Sequence, residues 1–113
     1  MDCLFCNIIT GKIPAKIIHD DQHVVAFNDI APKAPVHTLI VPKQHISTIN
    51  DLEETHKELV GHMVYTAQKL AQAAGIDQPG FRLVFNCNKE GGQTVHHIHL
   101  HLLGGRPMEW PPG

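Results

Sequence analysis

Apolar and polar positions along this chain change period three times, and each change marks an element. Leu4, Phe5, Ile8 and Ile9 recur at helical spacing ahead of Gly11, which predicts a short N-terminal helix, and Pro14 separates it from the next segment. KIIHDDQHVVAF then reads as two short strands around a polar turn at Asp20 to Gln22. Val36 to Val41 reads as a third strand, bounded by Pro35 and Pro42. From Asn50 or Asp51 onward the period is helical again. Leu59, Val60, Met63, Val64, Ala67, Leu70, Ala71 and Ala74 form one stripe at i, i+3, i+4 spacing, and Gly75 is a natural stop. Asn50 with Glu53, or Asp51 with Glu54, has the spacing of a capping box.

Two alternating segments complete the chain. FRLVFNC at 81–87 places Phe81, Leu83 and Phe85 on one face and Arg82, Val84 and Asn86 on the other. After the polar loop NKEGGQT, HHIHLHLL puts His97, His99 and His101 on one face of a strand and Ile98, Leu100 and Leu102 on the other. If the two segments pair, their apolar faces combine beneath the long helix and leave Asn86 and the histidines opposite. The expected fold is α+β, with a mostly antiparallel sheet of about five strands, one long helix and a short N-terminal helix.

Composition narrows the function classes. The 113 residues, 42% hydrophobic, suit one domain over 1–113, with 104–113 as a proline-rich tail. With a formal net charge of -2 and no stripe of Lys and Arg, polymeric nucleic acid is not an expected partner. No apolar run reaches the length of a membrane span, and MDCLFCNIITGK lacks the zones of a signal peptide. Cysteines at 3, 6 and 87 fit a reducing compartment better than a disulfide framework, so a cytoplasmic location is expected.

The histidine row carries the candidate chemistry. One imidazole on a strand is usually a polar surface residue, but three on one face crowd bases that disfavour one another's charged forms. Two readings remain: a metal site, because alternate strand histidines can converge on one ion, and a catalytic row with one histidine as nucleophile or base. Gly91-Gly92-Gln93-Thr94, just ahead of the row, offers backbone N–H groups and a hydroxyl, which suit an anionic oxygen such as a phosphate better than a cation.

The motif of histidine and apolar residues at 97–103 resembles the signature of the histidine triad superfamily. IPAKIIHDD, FNDIAPKAPVHTLIVPKQHI, RLVFN, GGQTV and LLGGRPMEWPPG extend the resemblance over nearly the whole chain, toward the Hint-type purine nucleoside phosphoramidases. The GGR and WPPG of the tail resemble that branch more than the diadenosine polyphosphate hydrolases or the galactose-1-phosphate uridylyltransferases.

The resemblance implies a fold of the histidine triad type and a hydrolase that cleaves the P–N bond of adenosine or guanosine 5'-phosphoramidates, with no cofactor needed for catalysis. His99 is implied as the nucleophile that forms a nucleotidyl-imidazole. His101 would contact the phosphate or bridging atom, and His97 and His37 would flank the row. Asn86, Thr94 and the backbone N–H groups of Gly92 and Gln93 are implied at the phosphate, Asp29 at the ribose hydroxyls and Ile30 beside sugar and base. Phe5, Ile8 and Ile13 would line the purine pocket. His96 stands where close relatives have Tyr and is not expected to be catalytic; Asn88-Lys89-Glu90 departs from the more glycine-rich loop of animal members. A homodimer is implied too, and Trp110, set between Pro107 and Pro111-Pro112, is a side chain that a partner surface would bury.

Competing functions are a dinucleotide polyphosphate hydrolase, a nucleotide-binding interaction module with incidental turnover, and a metalloprotein built on the row. Cys3-Leu4-Phe5-Cys6 is half of a zinc site. Histidine triad proteins outside the strict Hint pattern complete such a pair with a histidine after the third strand and the first histidine of the triad. The matching residues are His45 and His97, which gives a structural Cys2His2 zinc expectation.

Overall fold

A computed structural model describes residues 2–113. Helix α1 (Leu4–Ile9) begins at Cys3, an extended residue whose Sγ accepts the Cys6 N–H at 3.4 Å, and Thr10 ends it. Strands β1 (Ile17–Asp20), β2 (Val24–Asn28) and β3 (Val36–Pro42) precede the long helix α2 (Lys57–Ala73). Strand β4 (Phe81–Phe85), a one-turn helix α3 (Asn88–Gly91) and strand β5 (Leu100–Gly104) complete the order. All pairings are antiparallel, in the order β1-β2-β3-β5-β4, so β5 is inserted between β3 and β4. The α+β expectation holds.

The β1–β2 turn is closed by Asp21. Its Oδ1 accepts the N–H groups of His23 and Val24 at 2.7 and 2.9 Å, and its Oδ2 meets Nε2 of His19 and of His62 on α2 at 2.7 and 2.8 Å. Burial alone would raise this carboxyl, but those four hydrogen bonds outweigh it and hold the group well below the usual carboxylate range.

The sheet is buried on both sides, and this explains why Val24–Phe27 of β2 and Leu39–Pro42 of β3 read as unbroken apolar runs rather than alternating ones. Val24, Ala26, Ile40, Ile98, Leu100 and Leu102 pack with Met63, Ala67 and Ala71 of α2. Val25, Phe27, Leu39 and Val41 pack on the other side with Cys3 and Phe5 of α1. Phe81, Leu83 and Phe85 join the α2 side, as the alternation predicts. Each fully buried aliphatic side chain contributes about 1.5–3 kcal/mol, so the two layers lock the sheet that carries the histidines.

Three details differ from expectation. The long helix starts at Lys57, not at Asn50 or Asp51. Thr48 caps a separate 3-10 turn (Ile49–Asp51), with Asp51 reaching back to the Thr48 N–H at 3.0 Å, and Leu52 is then extended, which breaks the helical path. Val64 of the predicted stripe is exposed, and Thr66 is buried in its stead. The histidine strand pairs only from Leu100 onward, where Leu100 faces Ile40. Continuing that register would set Ile98 against Pro42, which has no N–H to donate; Ile98 N–H instead bonds the carbonyl of Ile46 at 2.7 Å. His97 and His99 therefore sit in the irregular segment that leads into β5, yet the side alternation survives, with Ile98 in the α2 core.

Candidate active site

Hydrogen bonds settle which ring nitrogen of each histidine carries its proton. His99 Nδ1–H donates to the carbonyl of His97 at 2.8 Å, which leaves Nε2 bare. The Lys33 N–H donates to His37 Nδ1 at 3.0 Å, so His37 carries its proton on Nε2 and gives it to His101 Nδ1 at 2.9 Å. His101 in turn must carry its proton on Nε2. That nitrogen is, among the described residues, the buried side-chain nitrogen or oxygen without a hydrogen-bond partner. Asp29 Oδ2 lies 3.5 Å from His37 Nε2 and completes the polar end of the row.

Burial pushes His37, His97 and His99 below the ordinary imidazole value. Burial, with His99 and His37 beside it, takes His101 down to about 4. The row is neutral near pH 7: a bare nitrogen on His99 beside an N–H donor on His101, with ring centroids 4.9 Å apart. One is a nucleophile that needs no deprotonation, and the other is a donor for charge that develops on a leaving atom.

Both rings open into a cleft of about 460 Å³ between α1 and the sheet. Phe5, Ile8 and Ile13 form its apolar wall, Asp29 and Ile30 stand at one side, and Thr94 lies beside the histidines. Phe27 and Leu39, to which the sequence pattern assigns no site role, also line it. Phe5 meets the His99 ring edge-on at 5.0 Å between centroids. Asn86 follows β4 on the His101 side and lines an adjoining hollow with Thr94, His37 and His101. His96 is exposed.

Gly92 and Gln93 do not match the expected phosphate donors. Their N–H groups close the α3 turn, donating to the carbonyls of Lys89 and Asn88, each at 3.0 Å. The Gln93 side chain is buried, bonding the Asn88 N–H and the carbonyls of Ser47 and Val95. The loop Asn88-Lys89-Glu90 is a helical turn with Gly92 in the left-handed conformation at its end, so the glycine serves chain reversal.

On the far side of His97 a second cluster converges. His97 Nε2–H donates to the carbonyl of Pro42 at 2.7 Å, which leaves Nδ1 bare. That Nδ1 lies 3.4 Å from Cys3 Sγ, 3.5 Å from Cys6 Sγ and 3.2 Å from His45 Nδ1, and His45 Nδ1 is 3.4 Å from Cys6 Sγ. All four ligand atoms lie within 4.8 Å of one another. Tetrahedral zinc, with bonds near 2.3 Å to sulfur and 2.0–2.1 Å to nitrogen, spaces its ligands by about 3.3–3.8 Å. Burial and the neighbouring Cys3 push the Cys6 thiol up, so a pair of thiolates here calls for a cation. Donor set and spacing fit a soft divalent metal. Ser47 Oγ, 3.3 Å from His45 Nε2, supports the ligand from outside and carries no motif by which a sequence could reveal it.

Comparison with known proteins agrees with this geometry. The family described as "Scavenger mRNA decapping enzyme C-term binding" matches residues 2–110. A histidine triad family hydrolase from Legionella pneumophila superposes with a TM-score of 0.97 at 56% identity, over 99% of this chain and 100% of that one. The chain belongs to the histidine triad family. A histidine triad protein from Clostridium difficile superposes with a TM-score of 0.93 at 42% identity, covering 96% and 95% of the two chains. The purine nucleoside phosphoramidase of Escherichia coli K12 is 47% identical over 107 residues, 95% of this chain and 90% of that protein. This histidine triad protein is an enzyme, a nucleotidyl hydrolase. Among the described residues, no helix is long and apolar enough to cross a membrane.

Proposed function

We propose that this histidine triad protein hydrolyses purine nucleoside 5'-phosphoramidates, releasing the nucleoside monophosphate and an amine through a nucleotidyl-histidine. The observation that carries the reading is the fixed tautomer pair: a bare His99 Nε2 beside a partnerless N–H on His101, both in one cleft. His99 Nε2 attacks the α-phosphorus and the P–N bond breaks. His101 Nε2–H hydrogen-bonds the departing nitrogen, which takes a proton from solvent and leaves as the amine. Water then cleaves the N–P bond to His99, giving its hydroxyl to phosphorus and its proton back to solvent, and frees the imidazole. Asn86 and Thr94 bond the phosphate oxygens, while Gly92 and Gln93 shape the loop that presents Thr94. Asp29 accepts from the ribose hydroxyls, with Ile30 beside the sugar. Phe5, Ile8 and Ile13 take the purine, and an apolar wall suits its faces.

The cluster of Cys3, Cys6, His45 and His97 is assigned to a structural zinc that joins α1 to the sheet; no step of the chemistry passes through it. A homodimer in the cytoplasm is the proposed working form, with AMP or GMP phosphoramidates as substrates. Turnover of a fluorogenic adenosine phosphoramidate by the purified chain, run beside diadenosine polyphosphate and beside His99→Ala, tests the reading. Preference for the dinucleotide would move the assignment to a dinucleotide polyphosphate hydrolase. Nucleotide binding without turnover of either would make the protein a binding module.

A further inference from the structure

Two hollows meet at His101. The cleft that holds His99 and the apolar wall shares Asp29, Thr94 and His101 with a second hollow of about 490 Å³, lined by the turn after β2 and by strands β4 and β5. With phosphorus at His99 Nε2 and the nucleoside along the apolar wall, a group that departs past the His101 N–H enters this second hollow. Ala31, Val84 and Leu103 give it apolar surface, and Lys33 is the sole cation among its described lining residues.

Lys33 is held there at both of its backbone polar groups. Its N–H donates to His37 Nδ1 at 3.0 Å, and its carbonyl accepts from Arg106 Nη2 at 2.9 Å and from Arg106 Nε at 3.3 Å. The side chain therefore springs from a fixed point beside the row. Its ammonium is uncommitted, because no carboxylate of the described residues forms an ion pair with it. Its field nonetheless reaches the row: burial holds His37 below the ordinary imidazole value, Asp29 opposes that shift, and the Lys33 charge adds to it. Asp29, the other charge in the hollow, is engaged, with Oδ1 accepting the Ala31 N–H at 2.8 Å and Oδ2 lying 3.5 Å from His37 Nε2.

We infer that Lys33 is a specificity residue that selects the leaving amine by charge: its ammonium receives a carboxylate carried by the amine and repels an amine that carries a second cation. A lysine ammonium is a compact point charge and asks no fixed geometry of its partner. The single ammonium balances one negative charge, which a carboxylate supplies, whereas a phosphate dianion would leave excess negative charge beside Asp29. The carbon skeleton of the amine lies against Ala31, Val84 and Leu103. The inference rests on the phosphoramidase reading and adds a discriminating group that is separate from those at phosphorus.

The test uses the full chain and three adenosine phosphoramidates of similar length, whose amines are β-alanine, β-alanine amide and trimethylenediamine, so that the far end is anionic, neutral or cationic. The neutral amide is the reference within each protein, and any change that a substitution transmits to His37 or His101 cancels from the ratio. In the wild type, kcat/KM for the carboxylate should exceed that for the amide by about threefold or more, with the diamine below both. Lys33→Arg should keep this order. Lys33→Gln should lose the carboxylate preference and, with Asp29 then the only charge in the hollow, raise the diamine; Lys33→Glu should reverse the order. Raising salt from about 0.01 M to about 1 M shortens the screening length from about 30 Å to about 3 Å, and should bring the wild-type ratios toward one.

A wild-type enzyme without the carboxylate preference overturns the inference. So does a Lys33→Gln enzyme with the wild-type ratios, or a preference that salt leaves unchanged; in each case turnover of the neutral amide shows that the phosphoramidase reading stands. Absence of turnover of all three compounds by the wild type overturns that reading and the inference with it.

Discussion

His37 Nε2 stands 2.9 Å from His101 Nδ1, and the proton between them belongs to His37, because the Lys33 N–H already occupies the other nitrogen of that ring. The relationship joins β3 to β5 across the sheet and dictates that His101 offers an N–H to the cleft. A protonated His101 would have to put a second N–H against the one His37 donates. This repulsion adds to burial and explains why His101 titrates near 4.

Stability should fall on mild acidification. An unfolded histidine titrates near 6.5 and His101 in the fold at about 4, so below about 6.5 the unfolded chain binds the proton first. The contribution is fully present above that value and is lost as the pH drops toward 4; His37 shifts in the same direction. Urea midpoints at pH 7.5 and 4.5 should differ more for the wild type than for His101→Gln. Equal pH slopes for the two proteins would show that His101 is not depressed.

His99→Ala should lower kcat/KM for a phosphoramidate by about 10³-fold or more while AMP still binds, because the groups around ribose, base and phosphate remain. Phosphorus should become attached to His99 when a slowly hydrolysed substrate is quenched in acid-free conditions and analysed by mass spectrometry. Residual activity within about tenfold of wild type, a barrier change of only ~1.4 kcal/mol, would exclude His99 as the nucleophile.

Gly105→Ala should destabilise the fold by about 1–3 kcal/mol. Gly105 follows β5 at φ +89, and a Cβ there would come 2.8 Å from the Cβ of Pro35, the residue that precedes β3. Backbone strain and overlap act together, and neither neighbour is a flexible side-chain tip. Thermal unfolding measures the loss; a melting temperature equal to wild type would mean that the β5 terminus and Pro35 separate freely.

The elements whose side chains obey one period were legible in the sequence. Phe81, Leu83 and Phe85 alternate and do pack under α2, and His97, His99 and His101 keep one side although only His101 lies in a paired strand. Boundaries fixed by backbone bonds were not legible. The α2 start depends on Leu52 being extended after the Thr48 turn, and the strand start depends on Pro42 falling opposite Ile98. Gly92 and Gln93 show the same limit: residue type pointed to N–H donors, and only the fold reveals that Lys89 and Asn88 already accept those bonds. The tautomers of the row lay beyond reach, because the groups that set them are backbone atoms of Lys33 and His97.

The tail supplies the final prediction, that the chain associates as a homodimer through a surface including residues 107–113. Trp110 is 83% exposed, although the tail is held in place: Arg82 on the edge strand β4 donates to the Glu109 carbonyl at 2.8 Å. Val64 and Tyr65 on the outer face of α2 are exposed as well. An indole fixed in place but left in water forgoes the burial that makes tryptophan favourable at interfaces. Burying it against a second copy recovers that term at low entropic cost, because the tail is already ordered. Sedimentation of the full chain at micromolar concentration should give a dimer, with Trp110 emission shifted to the blue relative to a dilute sample. Trp110→Ala should weaken association by about 2 kcal/mol or more. Deletion of 107–113 should weaken it further and, if the tail approaches the cleft, alter the preference for the leaving amine. A full-length monomer with solvent-like Trp110 emission at the same concentration would refute the interface.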